Sequence, residues 1–291
     1  TVKLSRLVDR CDRGSLAPIS FSRDQMRELR YASLLHDFGK VGVREEVLVK
    51  AKKLYPWHLD LIRERMAYIR RSREVEDLQR RMEILLDRGR EAYSACCPEL
   101  DRQRSAEVES LDRWLAAILA ANEPTVLDDG DFRIVQELAT QTYLGSDGEN
   151  QPVLRPTEVQ LLSIRRGSLD PEERLEIERH VVHTQRFLSQ IPWTRDLSGV
   201  PAIAAAHHER MNGKGYPLGL AAADIPIQSR MMAISDIHDA LTAADRPYKK
   251  AVPLAKALDI LAGEVRIGNL DATLFDLFVE GKAWEADEAQ I

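Results

Sequence analysis

Cysteine, long apolar runs and excess positive charge are all scarce in this chain, and each scarcity removes a class of protein. Cys11, Cys96 and Cys97 are its only cysteines. Three thiols make no disulfide framework, adjacent cysteines pair only with strain, and none stands at C-x-x-C metal spacing. They read as reduced packing or surface residues. No apolar run approaches the ~20 residues of a membrane span, and the first residues carry no signal-peptide pattern. The expected compartment is therefore the cytoplasm. A net charge of -6 argues against nucleic-acid polymers as partners, because they need a broad basic face. Basic residues do cluster locally, around Lys40, Arg210, Lys214, Arg246, Lys249 and Lys250, which suits a small anionic ligand.

What is present is helix-forming sequence, in a chain of 291 residues that is 44% hydrophobic and 30% charged. That balance belongs to a soluble globular protein able to bury a sizeable core. "SRDQMRELRYASLLHDFGK" offers Ser22 or Asp24 as N-cap, apolar residues at helical spacing and Gly39 as a stop, placing His36 and Asp37 in the last turn. From Trp57 to about Tyr93 a long amphipathic helix places Val75, Leu78, Met82 and Leu85 at heptad-like spacing. Val108, Leu111, Leu115 and Ile118 repeat that spacing after Pro98, so the two helices are expected to form an antiparallel hairpin. Residues 143–156 read as loop, and Thr157 as the cap of a short helix. Asp170, Pro171 and Glu173 open the next helix with a capping box. "GVPAIAAAHHER" and "IPIQSRMMAISDIHDALTA" are apolar helices, and two amphipathic helices follow Pro253.

Histidines punctuate these helices. His36 precedes Asp37, His180 stands one turn before His183, His207 adjoins His208, and Asp236 lies near His238 and Asp239. Imidazole nitrogens with carboxylate oxygens suit Zn, Mn, Fe, Co or Ni rather than Ca or Mg. Adjacent helical residues point about 100° apart. A His-Asp or His-His pair can thus serve two neighbouring ions in a bundle core. Taken singly, a histidine on an apolar helix is more often a hydrogen-bonded core residue than a ligand, and His58 and His238 read as solvent-facing. Taken together, burying so many polar groups without partners would cost several kcal/mol each.

"LLHDFGKVGV", "ERHVVHTQRFL", "HHERMNGKGYPLGL" and "IPIQSRMMAISDIHDALTAADRPYKKA" resemble the HD-GYP subgroup of HD-domain phosphohydrolases. The resemblance covers roughly residues 1–56 and 157–280. It implies an all-α HD-domain helical bundle, with 1–56 and 157–291 as the catalytic core. Residues 57–156 would be an inserted helical hairpin plus loop, available for dimerisation or regulation.

The family's activity, carried over, is that of a phosphodiesterase hydrolysing the cyclic dinucleotide c-di-GMP to pGpG or GMP. Its centre holds two or three divalent ions, usually iron or manganese. The implied ligands are His36, Asp37, His180, His207, His208 and Asp236, with Asp37 bridging. A metal-activated hydroxide would attack phosphorus in line while Lys40 offsets charge on the phosphate. Lys214, Gly215, Tyr216, Pro217, Arg246 and Lys249 would border bases and phosphates. The alternatives are a cyclic GMP-AMP phosphodiesterase or an inactive sensor of cyclic dinucleotides. Family members carry a Glu and a His ahead of the HD pair. The pattern H-[ST]-x-x-[VL] sets that His just before Thr1, so the chain reads as cut from a longer protein with an upstream sensory or receiver domain. One extra residue in "LTAADRPY" shifts the register of Arg246 and Lys249.

Overall fold

The computed structural model describes residues 1–243 and 251–285. Among these residues the chain is all-α apart from one small hairpin of strands, and it divides into two compact units, Thr1–Val49 with Glu172–Ile291, and Lys50–Pro171. The second unit takes in more chain than the insertion expected at 57–156. Arg246 and Lys249 lie outside the described residues.

The first unit packs α1 (Val2–Asp9), α2 (Arg23–Leu35), α3 (Glu45–Leu48), α7 (Pro171–Leu188), α8 (Val200–Ala205), α9 (Ile227–Thr242), α10 (Leu254–Arg266) and α11 (Ala272–Glu280). The apolar stripes of all of these but α3 meet in one core that includes Leu4, Leu29, Leu188, Val200, Met231, Leu261 and Leu274, all fully buried. α2 starts as its residues require. The Ser22 side chain accepts from the Gln25 N–H and the Gln25 side chain returns the bond, a complete capping box.

That helix stops four residues before Gly39. His36 is its last half-turn, Asp37 lies beyond it, and a 3-10 turn follows over Phe38–Gly42. Gly39 serves close approach rather than helix termination. A Cβ there would stand 1.9 Å from the His180 carbonyl oxygen and 2.6 Å from the Thr184 nitrogen. Only glycine lets this backbone lie against α7.

The second unit is built on α4 (Pro56–Ala121), with α5 (Asp129–Leu138) and α6 (Pro156–Leu162). α4 is two arms folded at Gly89, whose φ of 80° a side chain would resist. The reversal therefore falls at Gly89 and not near Pro98, which lies inside the second arm. At the base of the hairpin Ile62, Met66 and Ile69 pack with Leu111 and Ile118. Toward the tip the facing surfaces turn polar, with Arg81 held by Asp77 at 2.7 Å and Asp101 at 2.9 Å. Val75, Leu78, Met82 and Leu85, expected as the buried seam, are exposed instead.

Within 143–156, expected to be loop, Thr142–Leu144 (β1) pairs antiparallel with Asn150–Pro152 (β2), Tyr143 opposite Gln151. Gly148, at φ 81°, makes the turn. Arg155, not Thr157, is the N-cap residue of α6, with Pro156 in its first turn.

Candidate metal centre

The first unit brings His36, Asp37, His180, His207, His208 and Asp236 together from four places in the chain. His36 and Asp37 come from the end of α2, His180 from the middle of α7, and Asp236 from α9. His207 and His208 follow directly after α8. Two overlapping groups have donor atoms within 4.8 Å of one another, His180 with His207 and His208, and His36 with His207 and Asp236. Asp37 lies between them. Its Oδ1 is 3.3 Å from His180 Nε2 and its Oδ2 is 3.4 Å from His36 Nε2. Asp236 Oδ1 stands 3.6 Å from His36 Nε2.

Tautomers follow from the backbone. His36 Nδ1 lies 2.8 Å from the Ser33 carbonyl, His180 Nδ1 2.5 Å from that of Ile177, and His207 Nδ1 2.6 Å from that of Ala204. A carbonyl only accepts, so each Nδ1 carries the proton and each Nε2 presents its lone pair. All three Nε2 atoms are buried without a hydrogen-bond partner. A lone pair facing a carboxylate oxygen at 3.3–3.6 Å is repulsive unless a cation lies between them. Donors bound to one ion at about 2.1 Å stand roughly 3 Å apart. The cluster therefore fits divalent metal, by donor chemistry and by its orphaned lone pairs alike.

Burial would raise the Asp37 pKa, but His180, Lys40 and His36 hold it far below the usual carboxylate range. Burial would likewise raise Asp236, which His36 and His208 keep low. Burial and the neighbouring His36 bring His207 down to about 4, while burial and His207 bring His208 down to about 3. His36 moves the other way, because the Asp236 and Asp37 carboxylates outweigh its burial.

Around this cluster, Lys40 Nζ donates to Asp37 Oδ2 at 2.5 Å and remains partly open to solvent. The Tyr216 ring tilts against His208, with centroids 4.8 Å apart, and burial pushes its phenol well up. Gly215 packs so closely on the Glu209–Arg210 backbone that a Cβ would clash at 2.3 Å. A cis bond joins Tyr216 to Pro217. Lys214 is exposed on the same turn. His183 does not join the cluster: it is exposed beside Gly42. His238, read as solvent-facing, is half-buried between Phe278 and Trp284.

Two positioning residues went unread in the sequence. Thr184 Oγ1 accepts from the Gly39 N–H at 2.8 Å and donates to the His36 carbonyl at 2.9 Å, fastening the HD turn to α7. Its place one turn after His180 was the available signal. Glu209 is buried, and its carboxylate accepts from the N–H groups of Leu218, Gly219 and Leu220 at 2.7, 3.2 and 2.9 Å. An acidic residue directly after two candidate ligands pointed to it.

The site is a set of histidines and aspartates gathered from separate helices of one bundle, an arrangement suited to holding divalent ions. Residues 153–274 match the family model described as HD domain, and the resemblance to HD-GYP proteins drawn from the motifs holds. The chain is 40% identical over 113 residues to the 3'3'-cGAMP-specific phosphodiesterase 1 of Vibrio cholerae, covering 39% of this chain and 25% of that protein. It is 28% identical over 197 residues to the cyclic di-GMP phosphodiesterase response regulator RpfG of Xanthomonas campestris pv. campestris, covering 68% and 49%. A cyclic di-GMP phosphodiesterase of Pseudomonas aeruginosa is 39% identical over 111 residues, covering 38% and 25%. The matched part spans half the length of these relatives or less.

Proposed function

We propose that this chain is a metal-dependent phosphodiesterase domain that hydrolyses c-di-GMP to pGpG or GMP in the cytoplasm. The observation that carries the reading is the convergence of three unpartnered imidazole nitrogens on Asp37 and Asp236, beside Lys40. His180, His207 and His208 would hold one ion and His36 and Asp236 a second. Asp37, with one oxygen turned to each side, would bridge them. Iron or manganese suits this nitrogen–oxygen set, and two ions, or three with further ligands, would complete it. When bound, such ions supply Lewis acidity toward phosphoryl oxygens and lower the pKa of water.

The protein's own groups do the rest. The backbone carbonyls of Ser33, Ile177 and Ala204 fix each imidazole in the one tautomer that can bind metal. Lys40, paired with Asp37 here, is the cation able to turn to a non-bridging phosphate oxygen. Gly215 lets the turn lie close to the centre, Tyr216 offers an aromatic face to a base, and Pro217 and Lys214 border it. Arg246 and Lys249 are the further anion contacts that the motif assigns.

A second substrate, 3'3'-cyclic GMP-AMP, is supported by the name of the Vibrio relative at 40% identity. An upstream sensory or receiver domain, and dimerisation through the hairpin, complete the reading. The test is anaerobic purification, metal analysis and chromatography of both dinucleotides. Asp37→Ala should cut turnover by at least ~100-fold. Protein that takes up no metal, or turnover indifferent to this change, defeats the mechanism. Binding without turnover would leave a sensor.

A further inference from the structure

The first arm of α4 carries Val75, Leu78, Met82, Leu85 and Leu86, which are 50%, 60%, 56%, 43% and 75% exposed. These five side chains form one stripe on the face turned away from the inner residues Asp77, Arg81 and Ile84, each one position earlier in the helix. Their 3-4-3 spacing is that of a two-helix seam, yet the chain's own second arm does not use it. They offer on the order of 500 Å² of contiguous apolar surface, about the largest patch an ordinary monomer exposes.

We propose that this stripe binds the same stripe of a second copy of the chain, the two arms running antiparallel. The inference rests on reading the hairpin as an interaction element and is independent of the phosphodiester chemistry. Self-complementarity carries it. In a register centred between Leu78 and Met82, Leu78 of each copy meets Met82 of the other, and Val75 meets Leu85. The same register sets Arg71, the exposed cation one heptad before Leu78, opposite Gly89 of the other copy, so like charges stay apart. A parallel pairing would instead set Arg71 against Arg71 in the seam. Two stripes bury about 1,000 Å² of apolar area, and flanking residues bring the total to the low end of specific interfaces, which suits a weak, micromolar dimer.

The test uses the whole chain in sedimentation velocity from roughly 1 to 100 µM, a range that brackets such an affinity. The wild type should pass from monomer to dimer across it. Leu78→Glu with Met82→Glu should weaken association by ~100-fold or more, with helicity and metal content unchanged. In a chain with all three cysteines changed to Ser, Gln79→Cys, next to the two-fold axis, should cross-link with a short bis-maleimide. Gln103→Cys, on the second arm, should not. A monomer at every concentration overturns the proposal. So does a dimer that survives the double substitution or cross-links at Gln103→Cys rather than Gln79→Cys, since the contact then lies elsewhere.

Discussion

At the scale of single residues, the centre is a set of titrating groups whose neighbours have already sorted them. His207 and His208, at about 4 and about 3, are neutral near pH 7 and need lose no proton to bind metal. His36 is raised above its ordinary value, so a proton on it competes with metal as pH falls. Apparent affinity for Mn²⁺ should therefore be flat well above the His36 pKa. It should fall about tenfold per pH unit below it, a one-proton slope, in titrations from about pH 8 to about pH 5. His36→Gln should bind more weakly overall and lose that slope. A three-proton dependence would refute the assignment.

Glu209 gives the second residue-scale prediction. Its carboxylate answers three consecutive N–H groups after the GYP turn. In Glu209→Gln one oxygen becomes an NH₂ that faces donors. Hydrogen bonds to a charged group contribute about 1.5–3 kcal/mol each. Exchange of the 218–220 amides should quicken by roughly 10–100-fold, measured by mass spectrometry. Metal content should stay constant, because Glu209 shapes the turn and does not belong to the cluster.

At the scale of elements, the second unit hides an ion pair where its sequence suggested only amphipathic helix. Arg65 on α4 meets Glu158 on α6 in a fork, Nη1–Oε2 at 2.8 Å and Nη2–Oε1 at 3.1 Å, both residues buried. Arg65 also donates to the Val153 carbonyl, and Glu158 accepts from the Arg155 N–H at the start of α6. Removing one partner strands the other charge. Arg65→Met should destabilise this unit by about 3–5 kcal/mol, and adding Glu158→Leu should restore much of that, as read by chemical denaturation. If the double variant is no more stable than the single, the fork is not the cause.

The same elements show what the sequence could reveal. Capping box, apolar period and proline position gave the starts of α2, α7 and α9, since those signals are local, whereas α2 ends at Leu35 short of the expected Gly39. The reversal of α4 was misplaced because Pro98 breaks a helix by rule, whereas Gly89 acts by a left-handed φ that only the fold imposes. Val75, Leu78, Met82 and Leu85 were legible as a seam but not as one facing outward. Periodicity shows that a stripe exists, while its direction depends on which face the second arm takes. At the centre, the motifs named the six clustered residues. The Nδ1 locks, the Thr184 clasp and the Glu209 brace are tertiary, joining positions whose relation no spacing encodes.

At the scale of the whole molecule, two hydrophobic cores stand in one chain, one around Leu29, Met231 and Leu274, the other around Ile62, Leu111 and Leu138. The histidine–aspartate cluster belongs wholly to the first. The chain passes between the two units at Val49–Lys50 and Pro171–Glu172, and each core is expected to melt as its own transition. Ligand that binds only the folded state adds RT ln(1 + [L]/Kd), about 2.7 kcal/mol at a hundredfold excess over Kd. Saturating Mn²⁺ should therefore raise one calorimetric transition of the full chain, and a chelator should lower that same one. Arg65→Met should lower the other and leave the metal-sensitive transition in place. A single transition that moves as a whole under both perturbations would mean that the two cores unfold together, and that metal bound in one stabilises both.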